Sequence, residues 1–195
     1  MPTSLSKYLG IPKATLDSLG VFDPILDHDT RLFIDPLLLK HCKAPEFASS
    51  YSDLQSRFLA IGKLLQTSKE KHDVFWRSAA AKMSWHEVRG LCIGYSAGGT
   101  AGSGIGKGLR DRILETAKII IDAGKTDPEL FELVGLFEDN FGPDRISDMT
   151  ANIIQADILT YSNNIYKKYC LKGGLAPLID EVAFLQIHLQ PNLSY

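Results

Sequence analysis

The sequence predicts a mainly α fold with a small β element, an α+β arrangement whose C-terminal half is an antiparallel helical array. Three observations carry that reading. Apolar residues recur at helical spacing through residues 52–67 and 109–169, with caps and prolines where helices should start and stop. Two short apolar runs, residues 32–34 and 88–93, read as strands. Seven of the fifteen residues 94–108 are glycine, so a loop divides the chain. The 195 residues are 45% hydrophobic and 23% charged, the composition of an ordinary globular protein. A chain of this length buries about 70% of its unfolded surface and needs no staples. A single domain is expected: a mixed, loop-rich half over residues 1–108, a helical half over 109–170, and a tail over 171–195.

Taken in order, residues 4–9 and 14–19 form short helical turns, separated by Gly10-Ile11-Pro12. Leu32-Phe33-Ile34 is a short buried strand closed by Pro36. Residues 37–43 begin a helix. Residues 52–67 form a clearer one, since Leu54, Phe58, Ile61 and Leu65 recur at three- and four-residue steps. Residues 73–83 are helical, and 88–93 are a strand. Residues 109–123 place Leu109, Ile113, Ala117, Ile120 and Ile121 on one face and stop at Gly124. Asp127-Pro128-Glu129 supplies a cap, a proline and an acid for the next helix, which buries Leu130, Leu133, Val134 and Phe137. After Gly142-Pro143, one long helix covers 144–169, with Ile146, Met149 and Ile153 inward. In the tail, residues 181–190 fit strand and helix equally.

The net charge of −2 gives no support for a nucleic-acid backbone as a direct partner. Cys42, Cys92 and Cys170 are far apart and lack CxxC or Cys/His ligand spacing, which excludes a disulfide scaffold and a zinc finger. With no signal-peptide pattern and no apolar run near the ~18 residues of a membrane span, a soluble, cytoplasmic protein without a membrane partner is expected.

Four places carry residues with chemical potential. Gly94-Tyr95-Ser96-Ala97-Gly98 matches the G-x-S-x-G elbow of serine hydrolases, with Asp127 or Asp144 and His188 available to complete a triad. The elbow needs a helix directly after it, and the next ten residues hold five more glycines, so Ser96 is read as part of a turn. Gly102, Ser103, Gly104, Gly106 and Lys107 have the ingredients of a phosphate cradle ahead of a helix N-terminus. The spacing departs from a nucleotide loop, with Ala101 in place of its first glycine and Gly108 in place of its Ser/Thr. Asp27-His28-Asp29 together with Asp35 forms an acidic cluster, and the aspartates beside Pro24 and Pro36 are also ordinary turn starters.

The fourth is Asp144-Arg145-Ile146-Ser147-Asp148. On a helix Asp144, Asp148 and Asn152 stack as a polar stripe. Two carboxylates so placed repel, and either Arg145 or a divalent metal held by Asp144 and Asp148 relieves them; oxygen ligands of this kind suit Mg²⁺ or Mn²⁺. The dipole alone also favours acids in a first turn. Arg145 reaches Asp148 at i+3 and faces Glu138 on the preceding segment. If those acids enclose it in a buried cluster, Arg145→Ala costs about 3 kcal/mol or more.

Leu32-Phe33-Ile34-Asp35-Pro36, then Gly94-Tyr95-Ser96 with Gly102-Ser103-Gly104-Ile105-Gly106, then Phe137-Glu138 and Gly142-Pro143-Asp144-Arg145-Ile146-Ser147-Asp148-Met149 resemble, in this order, a family of uncharacterised bacterial proteins. Its members occur on mobile elements and in suspected phage-defence islands. The resemblance covers about residues 29–166, and the segment after Tyr169 departs from it. It implies a role in defence and no particular chemistry.

Two readings compete. In the first, the chain is an accessory subunit of a bacterial defence complex, packed on a larger protein partner, and any nucleic acid is reached through the complex. In the second, it is a metal-dependent nuclease or other phosphoester enzyme with Asp35, Glu138, Asp144, Arg145 and Asp148 at its centre and metal-bound water as nucleophile. No acid-x-lysine pair follows Asp148, which favours the first.

Overall fold

The computed structural model describes residues 3–26, 28–85, 88, 91–94, 106–127, 131, 134, 135, 138, 139 and 141–171. Asp27, Ser96, Gly102, Ser103, Gly104 and His188 lie outside them. The chain divides into two compact units, one of Ile34–Glu87 with Ser103–Ile154, the other of Met1–Phe33, Val88–Gly102 and Gln155–Tyr195.

The fold is mainly helical, and the helices fall close to where periodicity places them. In the second unit, α1 (Leu5–Leu9) and α2 (Lys13–Leu19) are each closed by a glycine at positive φ, Gly10 and Gly20. The Tyr161 hydroxyl donates to the Gly20 carbonyl at 3.0 Å, tying the long helix that carries Tyr161 to the end of α2. The Asp23 carboxylate accepts from both the backbone N–H (2.8 Å) and the hydroxyl (2.7 Å) of Ser6, in the first turn of α1. Burial works against its ionisation, but these bonds and the Lys13 charge outweigh it and hold the carboxyl below its ordinary value.

The two expected strands do not form among the described residues. What is present is an antiparallel bridge between Ser4 and Ile25 and a parallel one between Thr30 and Ile93. The reason lies in where the backbone donors go. The Leu32 N–H turns back to the Thr30 carbonyl at 2.7 Å, and the Ile34 N–H is taken by a side chain, Ser147 Oγ. Cys92 adopts φ 53°, which bends the chain out of extended geometry one residue before the bridge at Ile93.

The other unit is built around α4 (Ser50–Thr67), which contacts α3 (Pro36–Leu39), α5 (Val74–Lys82), α6 (Lys107–Asp122) and α7 (Pro143–Ile153). Leu54, Phe58, Ile61 and Leu65 form its buried face, as their spacing predicts. Against them lie Trp76 and Ala79 of α5, Ile113, Leu114, Ala117 and Ile121 of α6, Met149 of α7, and Phe131, Val134 and Phe141 from the segment between α6 and α7. The Phe58 ring stacks on Phe131 (centroids 4.7 Å apart) and meets Trp85 edge-on at 6.3 Å. After α6, Gly124 takes φ 99° and its N–H bonds the Ile121 carbonyl, a stop that the sequence marks.

The expected long helix over 144–169 is two helices, α7 and α8 (Gln155–Leu171), which belong to different units. The break is at Ile154, with φ −96° and ψ 16°. Two β-branched residues, Ile153 and Ile154, weaken helix continuation there. Ile154 is buried, so the departure from helix is compensated by packing.

The turn from α4 to α5 is fixed by Asp73, the N-cap of α5. Its carboxylate accepts from the N–H groups of Trp76 (2.7 Å) and Lys69 (2.9 Å) and from the Ser68 hydroxyl (3.1 Å). The Trp76 N–H is the largest cause, and with the others it holds the carboxyl at about 2 against the usual 3.8. The charged form is the one that folding favours, so its contribution is present above 3.8 and is lost as pH falls through about 2. Asp73→Ala should therefore lower Tm at neutral pH, and the gap to the parent should close as thermal melts are taken down from pH 3.8 to about 2. A gap that stays constant over that range contradicts the assignment. In the core, Ile61→Ala should cost about 2–5 kcal/mol in urea unfolding, since Ile61 has no exposed surface to relax into.

Candidate functional site

Two of the segments that the sequence singles out, those around Asp35 and Asp148, meet where α3 and the residues just before it lie against α7. Ile34 lies just ahead of α3 and is anchored by its N–H, which donates to Ser147 Oγ at 2.9 Å. Ser147 is buried in α7 among Met149, Thr150 and Ala151. Two of the three sequence motifs are thus held together by one hydrogen bond spanning 113 residues of chain. Asp35, next along, is the N-cap of α3. Its carboxylate accepts from the Leu37 N–H at 2.9 Å, and Pro36 fills the first helical position. At the far end of α3, Lys40 Nζ lies 5.8 Å from the Tyr51 ring centroid, over the first turn of α4.

Asp144 lies in the first turn of α7 behind Pro143, where the dipole favours an acid. Arg145 pairs with Asp148 at 3.4 Å, with side chains 24% and 26% exposed. The Asn152 amide donates to the Asp148 backbone carbonyl at 2.8 Å. Glu138 is engaged from α6: Arg112 Nε lies 3.5 Å from its carboxylate and the Thr116 hydroxyl donates to it. Among the described residues, no three histidine, cysteine, aspartate or glutamate side chains are gathered as a metal site. The four candidate acids have separate attachments: Asp35 caps α3, Asp144 opens α7, Glu138 joins α6, and Asp148 takes Arg145. A divalent ion at Asp148 competes with the guanidinium of Arg145 for the same carboxylate.

Of the phosphate-cradle residues, Gly106 and Lys107 are described. Gly106 is the N-cap of α6 with an ordinary extended backbone, and Lys107 is the first helical residue and exposed. A Cβ at Gly106 or Gly108 meets nothing within 4 Å, so neither glycine answers a steric demand of the fold. Cys92 is buried, which raises its thiol above the ordinary value, and the Asp29 charge adds to the shift. A thiol so placed stays protonated and is a poor nucleophile.

Sequence reasoning missed Ser147, which reads as one more polar residue between Arg145 and Asp148, and Phe131, which reads as a spare aromatic between Leu130 and Leu133. It also missed Asp73 as a cap, although an aspartate directly before a helical run is a recognisable start signal.

Partial exposure of the Arg145–Asp148 pair lowers what its removal should cost. Arg145→Ala is expected to lose about 1 kcal/mol, the upper range for a surface ion pair, in place of the larger loss of a buried cluster. Ser147→Ala should cost more, about 1–3 kcal/mol, because it leaves the Ile34 N–H without its acceptor. Urea denaturation of both variants checks the order. An Arg145→Ala loss well above that of Ser147→Ala restores the buried cluster.

A family model described as a domain of unknown function, DUF8370, matches residues 10–179. No curated protein and no solved structure matches the chain. No helix of the described residues is long and apolar enough to cross a membrane.

Proposed function

The chain belongs to the DUF8370 family; we propose that it is a cytoplasmic accessory subunit of a bacterial defence complex, packed on a larger protein partner. The observation that carries this reading is the presentation of α3. Leu37 and Leu38 are 47% and 66% exposed. They stand on a helix held by the Asp35 cap, by Ile34–Ser147 beside it, and by Lys40 against Tyr51. A protein gains no stability from fixing leucines in water, whereas a rigid apolar pair suits an interface anchor, because little entropy remains to be lost on binding. Lys40, His41 and Lys43 are exposed around it, so an acidic rim on the partner complements it.

The defence role rests on the resemblance of the motifs around Asp35, Gly102 and Asp144 to proteins of mobile elements. The separate attachments of the four acids support a non-enzymatic role for them. Co-expression with the products of neighbouring genes tests the reading. One of them should co-purify in fixed stoichiometry, and the Leu37→Asp, Leu38→Asp double variant should lose it while keeping the parent Tm. A double variant that co-purifies undiminished overturns the role of α3. DNA or RNA cleavage by the chain alone in Mg²⁺ or Mn²⁺, abolished in Asp148→Asn, overturns the accessory role in favour of the nuclease.

A further inference from the structure

The helix α5 gives one side to the core and leaves the other unpartnered. Trp76 and Ala79 are its buried residues. Val74 and Phe75, in its first turn, are 57% and 40% exposed. Val74, Arg77, Ser78 and Ala81 recur at three- and four-residue steps, so they share the face turned away from Trp76 and Ala79. The helix is not free to roll and bury Val74. The Asp73 carboxylate fixes its start through the N–H groups of Trp76 and Lys69 and the Ser68 hydroxyl.

The charge on this face has one sign. Arg77 and Lys82 are the ionisable side chains of α5, and both are exposed. Among the described residues neither forms an ion pair with an acid. Arg77 Nη1 donates to the His72 carbonyl at 2.8 Å. That acceptor is neutral, so the bond orients the guanidinium at the start of α5 without cancelling its charge. Two acids close in sequence or space are already engaged, Asp73 as the cap and Glu115 with Lys71. Residues 63–82 carry five lysines and arginines against two acids, whereas the chain as a whole is net −2.

We propose that this face of α5 docks an acidic segment of a second protein. A carboxylate of that segment takes the Arg77 fork, a geometry in which arginine binds two oxygens at once. A further acid meets Lys82, and an apolar side chain covers Val74 and Phe75. Ser78 and Ala81 are small and let the segment's backbone come close. A nucleic-acid backbone asks for a broader cationic field than one arginine and one lysine supply, and it leaves the apolar pair uncovered. The proposal does not depend on the α3 surface or on the reading built on it.

Selection of short random peptides displayed against the immobilised full chain tests it without presupposing a sequence. The recovered peptides should combine aspartate or glutamate with apolar residues. Once synthesised, they should saturably shift the amides of residues 74–82 in the ¹⁵N-labelled chain. Exchange of their acids for the corresponding amides should weaken binding about tenfold, as should Arg77→Glu. Val74→Asp should weaken it similarly while keeping the parent Tm, because an acid at the first helical position suits the helix dipole. The proposal is overturned if no acidic binder is recovered, or if the peptides shift residues 36–43 and leave α5 unmoved. The latter result leaves the α3 reading standing. Binding that survives both variants, or that is indifferent to loss of the peptide's acids, also overturns it.

Discussion

The buried face of α4 is the constraint on which the unit of Ile34–Glu87 and Ser103–Ile154 depends. Ile61 and Leu65 have no exposed surface, and α3, α5, α6 and α7 all lie against this one helix. In a protein most of a helix's stability comes from packing of its apolar face, so this helix is held by what it covers. The dependence runs both ways. The unit consists of short helices that cannot bury an apolar stripe alone, and α4 is their common support. The α5 helix reaches it through a tight turn fixed by Asp73 and Ser68. The α6 and α7 helices return from far along the chain, and the aromatic stack of Phe58 on Phe131 closes the core between them.

Polar groups follow the same logic on a smaller scale. A backbone donor removed from water needs an acceptor, and this chain supplies side chains where a second strand is missing. Ser147 satisfies Ile34, Asp35 satisfies Leu37, Asp73 satisfies Trp76, and Asp23 satisfies Ser6. Asp35, a catalytic candidate in the sequence, thus caps α3, and Glu138, another, is joined to α6. An aspartate ahead of a helix has the same sequence signature in either role. Only its partners distinguish them.

The helices were legible because their periodicity is local. Leu54, Phe58, Ile61 and Leu65 lie on one face whatever surrounds them, and Gly124 marks a stop by its own backbone preference. The strands were misjudged because strand formation is decided by distant partners: the Ile34 donor goes to Ser147, and nothing near residue 34 reveals that. The break at Ile154 was invisible for a related reason, since burial of that side chain depends on the tertiary fold. At the candidate site, the nuclease reading places Asp35 and Asp148 at one centre, and the Ile34–Ser147 hydrogen bond does bring their segments together. The attachment of Glu138 to Arg112 and Thr116 is not legible in the sequence, because it depends on where α6 lies in the tertiary fold.

We propose that the acids of these motifs serve helix ends and ion pairs of the fold and not a metal. Paramagnetic broadening by Mn²⁺ in the ¹H–¹⁵N spectrum of the full chain tests it directly, since a bound ion relaxes nearby amides strongly. The expected result is weak, unsaturable broadening spread over exposed acids, with the amides of Asp35, Leu37 and residues 144–152 no more affected than those of α4. Saturable broadening concentrated at Asp35, Asp144 and Asp148, and removed by Asp148→Asn, would contradict the claim.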